Sequence, residues 1–199
     1  MTVRPIVRAG DPVLARVAAP VADPAAADVA RLVADMVDTL DGVGAAGIAA
    51  PQIGVSRRVV IYFVPPHRVT DRPDDGPIDM TVLVNPEVVP LGDDMRTDWD
   101  GCLSLPDLRG LVPRWERVRV VASDLDGKRT ERVVGGAHAR IVQHEVDHLE
   151  GRLYPSLMTD PASLAYLDEL VAAGRIPARI PVRPRDHVGG ALARRLAAL

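Results

Sequence analysis

Apolar residues recur at helical spacing through Val29, Leu32, Val33, Met36, Val37 and Leu40, which predicts an N-terminal helix ended by Gly42 and Gly44. Pro24 suits the first turn of such a helix. Before it, Pro5, Pro12, Pro20 and Pro24 predict an extended, turn-broken arm over residues 1–24. The runs "SRRVVIYFVP" (56–65) and "MTVLVNPEVVP" (80–90) are rich in β-branched residues and bounded by proline. They predict strands joined by a polar loop. Residues 116–134 alternate around Asp126-Gly127, a hairpin signal, and Gly135-Gly136 ends the pair. A helix is predicted from Ala137 to Glu150, with Gly151 just past its end, and another over "PASLAYLDELVAAG" (161–174). Leu192, Leu196 and Leu199 fall on one helical stripe at the end of the chain. Strands first and helices later predict an α+β fold.

With 199 residues, 47% of them hydrophobic, the chain is long enough for one domain with a proper core. Aromatic residues make up only 3%, so that core must be mostly Val, Leu, Ile and Ala. No repeat or domain boundary is visible, but composition changes at Arg175. Residues 1–174 are expected to form a single domain. The tail 175–199 is basic, with Arg175, Arg179, Arg183, Arg185, Arg194 and Arg195 against Asp186 alone. The overall charge of −3 gives no global argument for DNA or membrane binding. A lone cysteine, Cys102, excludes an internal disulfide. No run resembles a signal peptide or a membrane span of about 18–20 apolar residues. A soluble protein of a reducing compartment is expected.

The candidate chemistry lies in "QHEVDHLEG" (143–151). Residues four apart share a helix face, so His144 and His148 can point at one ion. Glu145 follows directly, placed to take a proton from a water beside that ion. A third ligand is open on residue chemistry. Metzincin proteases place a histidine six residues beyond the second one, and here that position is Tyr154. A downstream carboxylate is offered by Glu169, and a thiolate by Cys102 in the glycine-flanked turn "DGCLSLP" (100–106), with chemistry leaning modestly to the thiolate. His67, His138 and His187 are expected at the surface. For Asp147, orientation of a ligand and a solvated helix face weigh equally.

Three segments in order, "AAGIAAPQ" (45–52), "DGCLSLP" (100–106) and "QHEVDHLEG" (143–151), resemble the peptide deformylase family. The likeness extends over about residues 4–158. It implies antiparallel β-sheets packed around a central helix carrying the HExxH residues, with an N-terminal and a C-terminal helix. It implies that Cys102, His144 and His148 hold one divalent metal, Fe²⁺ by family habit, with Zn²⁺, Ni²⁺ or Co²⁺ as substitutes. Glu145 is then general base and later general acid. Gln52 and the backbone N–H of Leu103 donate to the oxyanion. Gly47 allows close approach of the peptide, and Arg109 meets its downstream backbone. The implied substrate is the formyl group of formyl-methionyl nascent chains in a bacterial cytoplasm. The alternative is a formylated small metabolite. The basic tail would suit ribosomal RNA phosphates, against a solvated-tail alternative.

Two positions depart from the family pattern. Ala45 replaces the first motif glycine, with Gly44 just before it, so a small strain or a one-residue shift is expected there. Asp100 replaces a glutamate that pairs with the arginine found here as Arg114. One methylene shorter, it is expected to make a longer or water-bridged contact and to support the Cys102 turn less firmly.

Overall fold

The computed structural model describes residues 2–178, 180 and 182–198. Helix α1 (Ala27–Val43) precedes strands β1 (Gly47–Ala49), β2 (Val59–Val64), β3 (Ile78–Pro90), β4 (Met95–Cys102), β5 (Leu105–Trp115), β6 (Arg117–Ser123) and β7 (Arg129–Gly135). Helix α2 (Gly136–Leu149) follows, then β8 (Ala165–Tyr166), α3 (Leu167–Ala172) and α4 (Gly190–Ala197). The strands pair antiparallel in a five-stranded sheet, β1-β2-β3-β6-β7, and a three-stranded sheet, β4-β5-β8. The architecture is α+β, as expected.

The continuous apolar run of β2 follows from its place between two helices. Val59, Ile61 and Phe63 face the cluster built on α1, where Val29, Val33, Met36, Val37 and Leu40 are buried. Val60, Tyr62 and Val64 face the other way, into a cluster with Ala139, Val142, Val146 and Leu149 of α2. A strand buried on both faces has no reason to alternate. Helix α2 also touches β5, so it bridges the two sheets.

Side chains from outside the elements secure them. The left-handed residue after α1 is Gly44 (φ 59°, ψ 46°), whose N–H donates to the Leu40 carbonyl at 2.9 Å. The left-handed position falls on Gly44, so Ala45 escapes the strained region. Helix α2 has no cap from its own N-cap residue, Gly135. Asp75, in the polar loop after β2, supplies it, accepting from the N–H groups of Ala137 (3.0 Å) and His138 (3.2 Å). Gly136 has φ +53°, and a Cβ there would lie 2.5 Å from Asp75 Oδ2.

Three local expectations need correction. Pro24 does not start α1, which begins at Ala27, because Asp23 folds the preceding residues into a turn by accepting from Ala25 N–H at 2.9 Å. The helix expected over 161–174 is split into a 3₁₀ turn (Pro161–Ser163), β8 and the short α3. Pairing of Ala165 and Tyr166 with Arg109 and Leu108 of β5 overrides local helix propensity. His138 is not a surface residue. It is 3% exposed and hydrogen-bonded to the Tyr62 hydroxyl at 2.8 Å. Burial lowers its pKa to about 4 and raises that of Tyr62 to about 12, so neutral imidazole and phenol meet there. His187 is half-buried, stacked on Phe63 at 4.2 Å between ring centroids, while His67 is exposed.

The basic segment packs on the body. Val182 joins the α1 cluster, and Leu192 and Leu196 rest against it. Arg185 pairs with Asp38 and Asp41 of α1. Arg195 donates to the Ala25 carbonyl at 2.8 Å. Arg175 lies over the Trp99 ring, 5.1 Å from its centroid. Arg183 and Arg194 are exposed, and Arg179 and Leu199 lie outside the described residues. Among the described residues, no helix is long and apolar enough to cross a membrane.

Candidate metal centre

Helix α2 places His144 and His148 one turn apart, and the end of β4 brings Cys102 against them. One ligand atom from each lies within 4.8 Å of the others. Of the two candidates for a third ligand, Cys102 lies with the two histidines, whereas Glu169 is exposed on α3 and takes no part in this group. The cluster sits at the floor of a cleft of about 380 Å³, lined by Gly47, Gln52, Leu103, Arg109 and Glu145 among others. That volume is in the range of small-ligand sites. Every residue expected at the site is therefore gathered in this region.

Cys102 is buried, and its sulfur accepts from Gln52 Nε2 and from Ser104 N–H, both at 3.4 Å. The same distance separates it from His148 Nε2. Gln52 does two jobs at once, because its Oε1 accepts from Ala49 N–H at 2.9 Å while its amide nitrogen faces the sulfur. The N-terminal arm braces this floor. Val7 N–H donates to the Gln52 carbonyl and Ala9 N–H to that of Ser104, both at 2.9 Å.

His144 is oriented by Asp100, whose Oδ2 lies 3.2 Å from Nδ1. A proton on Nδ1 leaves Nε2 as the lone-pair donor, which is how a carboxylate fixes a ligand's tautomer. Burial opposes a charge on Asp100, but the hydrogen bond to His144 and the Arg114 guanidinium outweigh it, holding the carboxyl well below its usual range. Burial also opposes a charge on His144, and there Asp100 and Cys102 outweigh it and raise the imidazole. Burial, with the positive charges of His144 and Arg114, lowers His148 well below its ordinary value, so it stays neutral.

The contact expected to lengthen at Asp100 is short and direct. Arg114 reaches Oδ2 at 2.9 Å through Nε and at 2.6 Å through its terminal nitrogen. The shorter side chain is compensated because Arg114 itself is buried and held on its far side by Asp147, at 2.8 Å. Asp147 is accordingly no solvated helix face. It is buried between Arg114 and Arg152. Arg140, passed over in the sequence, also meets Asp100, at 2.6 Å. Its signal was present, since it lies four residues before His144 on the same helical face.

Glu145 is buried, its Oε2 has no hydrogen-bond partner, and burial raises its carboxyl to about 7. A carboxylate poised there can both take and return a proton near neutral pH. The space at Gly47 is used by this side chain, because a Cβ on Gly47 would lie 2.5 Å from Glu145 Oε1. The expected role of Gly47 in peptide approach thus gains a prior one, room for the carboxylate. Gly47→Ala is expected to lower turnover at least tenfold by displacing Glu145 while leaving metal content unchanged, which steady-state kinetics with metal analysis checks.

The donor set, the oriented imidazole and the orphaned carboxylate oxygen fit one divalent cation with a reacting group beside it. The family model for polypeptide deformylase matches residues 3–163. The chain belongs to the polypeptide deformylase family. It is 44% identical over 168 residues to peptide deformylase 1 of Nitrosomonas europaea, covering 84% of this chain and 94% of that protein. It is 47% identical over 158 residues to peptide deformylase 2 of Ralstonia nicotianae, covering 79% and 88%. Among solved structures, a class I type b peptide deformylase from Acinetobacter baumannii with Met-Ala-Ser bound superimposes with a TM-score of 0.70 at 38% identity. It covers 78% of this chain and 99% of that one. The actinonin-bound form of that enzyme gives 0.69 at 35% identity, covering 80% and 100%.

Proposed function

We propose that the chain removes the formyl group from N-formyl-methionyl nascent peptides, releasing formate and a free α-amine. The observation that carries this is one cleft floor holding three converging ligand atoms beside a buried carboxylate with an unpartnered oxygen. Cys102, His144 and His148 would hold one divalent cation. Cys/His₂ donors suit Fe²⁺ and Zn²⁺ alike, and we take Fe²⁺ as the resident ion, with Zn²⁺, Ni²⁺ or Co²⁺ as substitutes. When bound, the cation would polarise the formyl carbonyl and lower the pKa of water.

The chain's own residues do the rest. Glu145 removes a proton from the attacking water and returns it to the leaving nitrogen. Gln52 Nε2 and the Leu103 N–H donate to the oxygen that gains charge as the formyl carbon becomes tetrahedral. The free edge of β1, at Gly47, pairs with the peptide as an added strand, and Arg109 across the cleft contacts the backbone further along. Residues 1–174 form the metallohydrolase unit, with α2 as its central element. The reaction belongs in the cytoplasm, where nascent chains are made.

The test is formate release from formyl-Met-Ala-Ser by anaerobically purified protein, with metal content measured on the same sample. Turnover of the peptide at least a hundredfold faster than of a formylated small amine is expected. Bound metal with turnover of the small amine alone would replace this function with a metabolite amidase.

The basic segment is first a packing element, because Arg175, Arg185 and Arg195 are engaged with the body. Exposed Arg183 and Arg194 remain to support a weak contact with ribosomal RNA phosphates. Cosedimentation with ribosomes at low salt is expected to fall when both are replaced by serine. Unchanged binding removes the ribosome from the list of partners.

A further inference from the structure

Both carboxylate oxygens of Asp100 are occupied, each by a different set of partners. Oδ2 serves Arg114 and His144. Oδ1 accepts from Arg140 at 2.6 Å. The other terminal nitrogen of Arg140 donates to the carbonyl of Arg96 at 2.8 Å and to that of Val112 at 3.0 Å. Those carbonyls belong to β4 and β5, the strands on either side of the turn that presents Cys102. Arg140 itself rides on α2, one turn before His144. A single guanidinium thus spans the helix that carries two candidate ligands and the hairpin that carries the third.

We propose that Arg140 is a positioning residue for the metal centre, acting through Asp100. An aspartate has one torsion beyond χ1. With only Oδ2 held, its carboxylate can swing about that torsion and release His144 Nδ1. With Oδ1 held as well, the plane is fixed, and the short side chain at position 100 orients the imidazole. The bidentate fork explains why the residue is arginine, since an ammonium cannot serve Oδ1 and two carbonyls in that geometry. The inference rests on Cys102, His144 and His148 being the ligands.

The experiment measures Co²⁺ affinity of the metal-free protein by chelator competition, together with the thiolate-to-cobalt absorption band. Arg140→Met is expected to weaken Co²⁺ binding about 10–100-fold, the range for removed outer-sphere partners, and to shift the band. Arg140→Lys keeps a charge beside Oδ1 and is expected to recover part of the affinity. It serves in place of Arg140→Met if that variant does not fold, with a smaller loss expected. In an Asp100→Asn background, Arg140→Met is expected to weaken binding less than twofold further, because the route through the carboxylate is already broken.

Wild-type affinity and band in both Arg140 variants, with Cys102→Ala losing Co²⁺, would overturn the proposal and leave the ligand set standing. An undiminished Arg140→Met effect in the Asp100→Asn background would also overturn it, as general packing. Co²⁺ bound as tightly by Cys102→Ala as by wild type would overturn the ligand set and this proposal with it.

Discussion

Glu145→Gln is expected to reduce formate release by about 10³–10⁴-fold while the metal stays bound, at the upper end of what one acid–base group contributes. Glutamine matches the shape of glutamate and cannot carry the proton. The three proposed ligand atoms belong to Cys102, His144 and His148 and not to Glu145, so metal content should not change. The substitution has a second readout in the metal-free protein. Burial raises the Glu145 carboxyl from the ordinary 4.5 to about 7. A carboxyl raised in the folded state favours folding below its unfolded pKa and loses that contribution as pH rises through the folded value. The neutral glutamine has no such dependence. The urea midpoint of the metal-free wild type should therefore fall, relative to the variant, between about pH 4.5 and 7.5. Retention of a tenth of the activity, or loss of metal with the activity, would remove Glu145 from the role of proton carrier.

Arg114→Met is expected to cost about 3–5 kcal/mol of stability, because it removes one partner from a buried ionic cluster and leaves charge behind. Arg114 and Asp100 are each 4% exposed, and Arg114 also holds Asp147. Arg140 and Arg152 stay behind as cations, which places the expectation toward the lower figure. Urea denaturation with the slope checked against wild type measures it. The same variant should bind metal more weakly, since Asp100 loses the cation that holds the oxygen facing His144. Replacing Arg114, Asp100 and Asp147 together by apolar residues should restore part of the stability and none of the metal affinity. A cost under 1 kcal/mol for Arg114→Met would show that the cluster is solvated well enough to dispense with its centre.

Much of the site was legible because it is local. His144, Glu145 and His148 lie within one turn and a half of helix, where spacing alone dictates a shared face. Gly151 (φ +68°), just past the end of α2, and the Asp126-Gly127 turn are equally short-range signals. Cys102 required the resemblance, because nothing within its own stretch distinguishes a ligand from a small buried thiol. At Asp100 and Arg114 the residue types were right and the geometry was not. Side-chain length alone predicts a longer contact, and the far-side contact from Asp147 that pins the arginine reverses it. His138 was misplaced for a related reason. Its partner, Tyr62, is 76 residues away, and only the β2–α2 packing brings them together.

The sequence by itself determined the α+β class, the C-terminal ends of the two long helices, the hairpin and the shared helix face of His144 and His148. Each is set by backbone preference or by a side-chain period only a few residues long. Only the tertiary structure decided that Cys102 lies beside the two histidines, that Asp100 carries two arginines, and that β8 replaces part of a helix. It also decided that the basic segment lies down on α1. These depend on residues far apart in the chain meeting out of water, where burial and charge pairing outweigh local propensity.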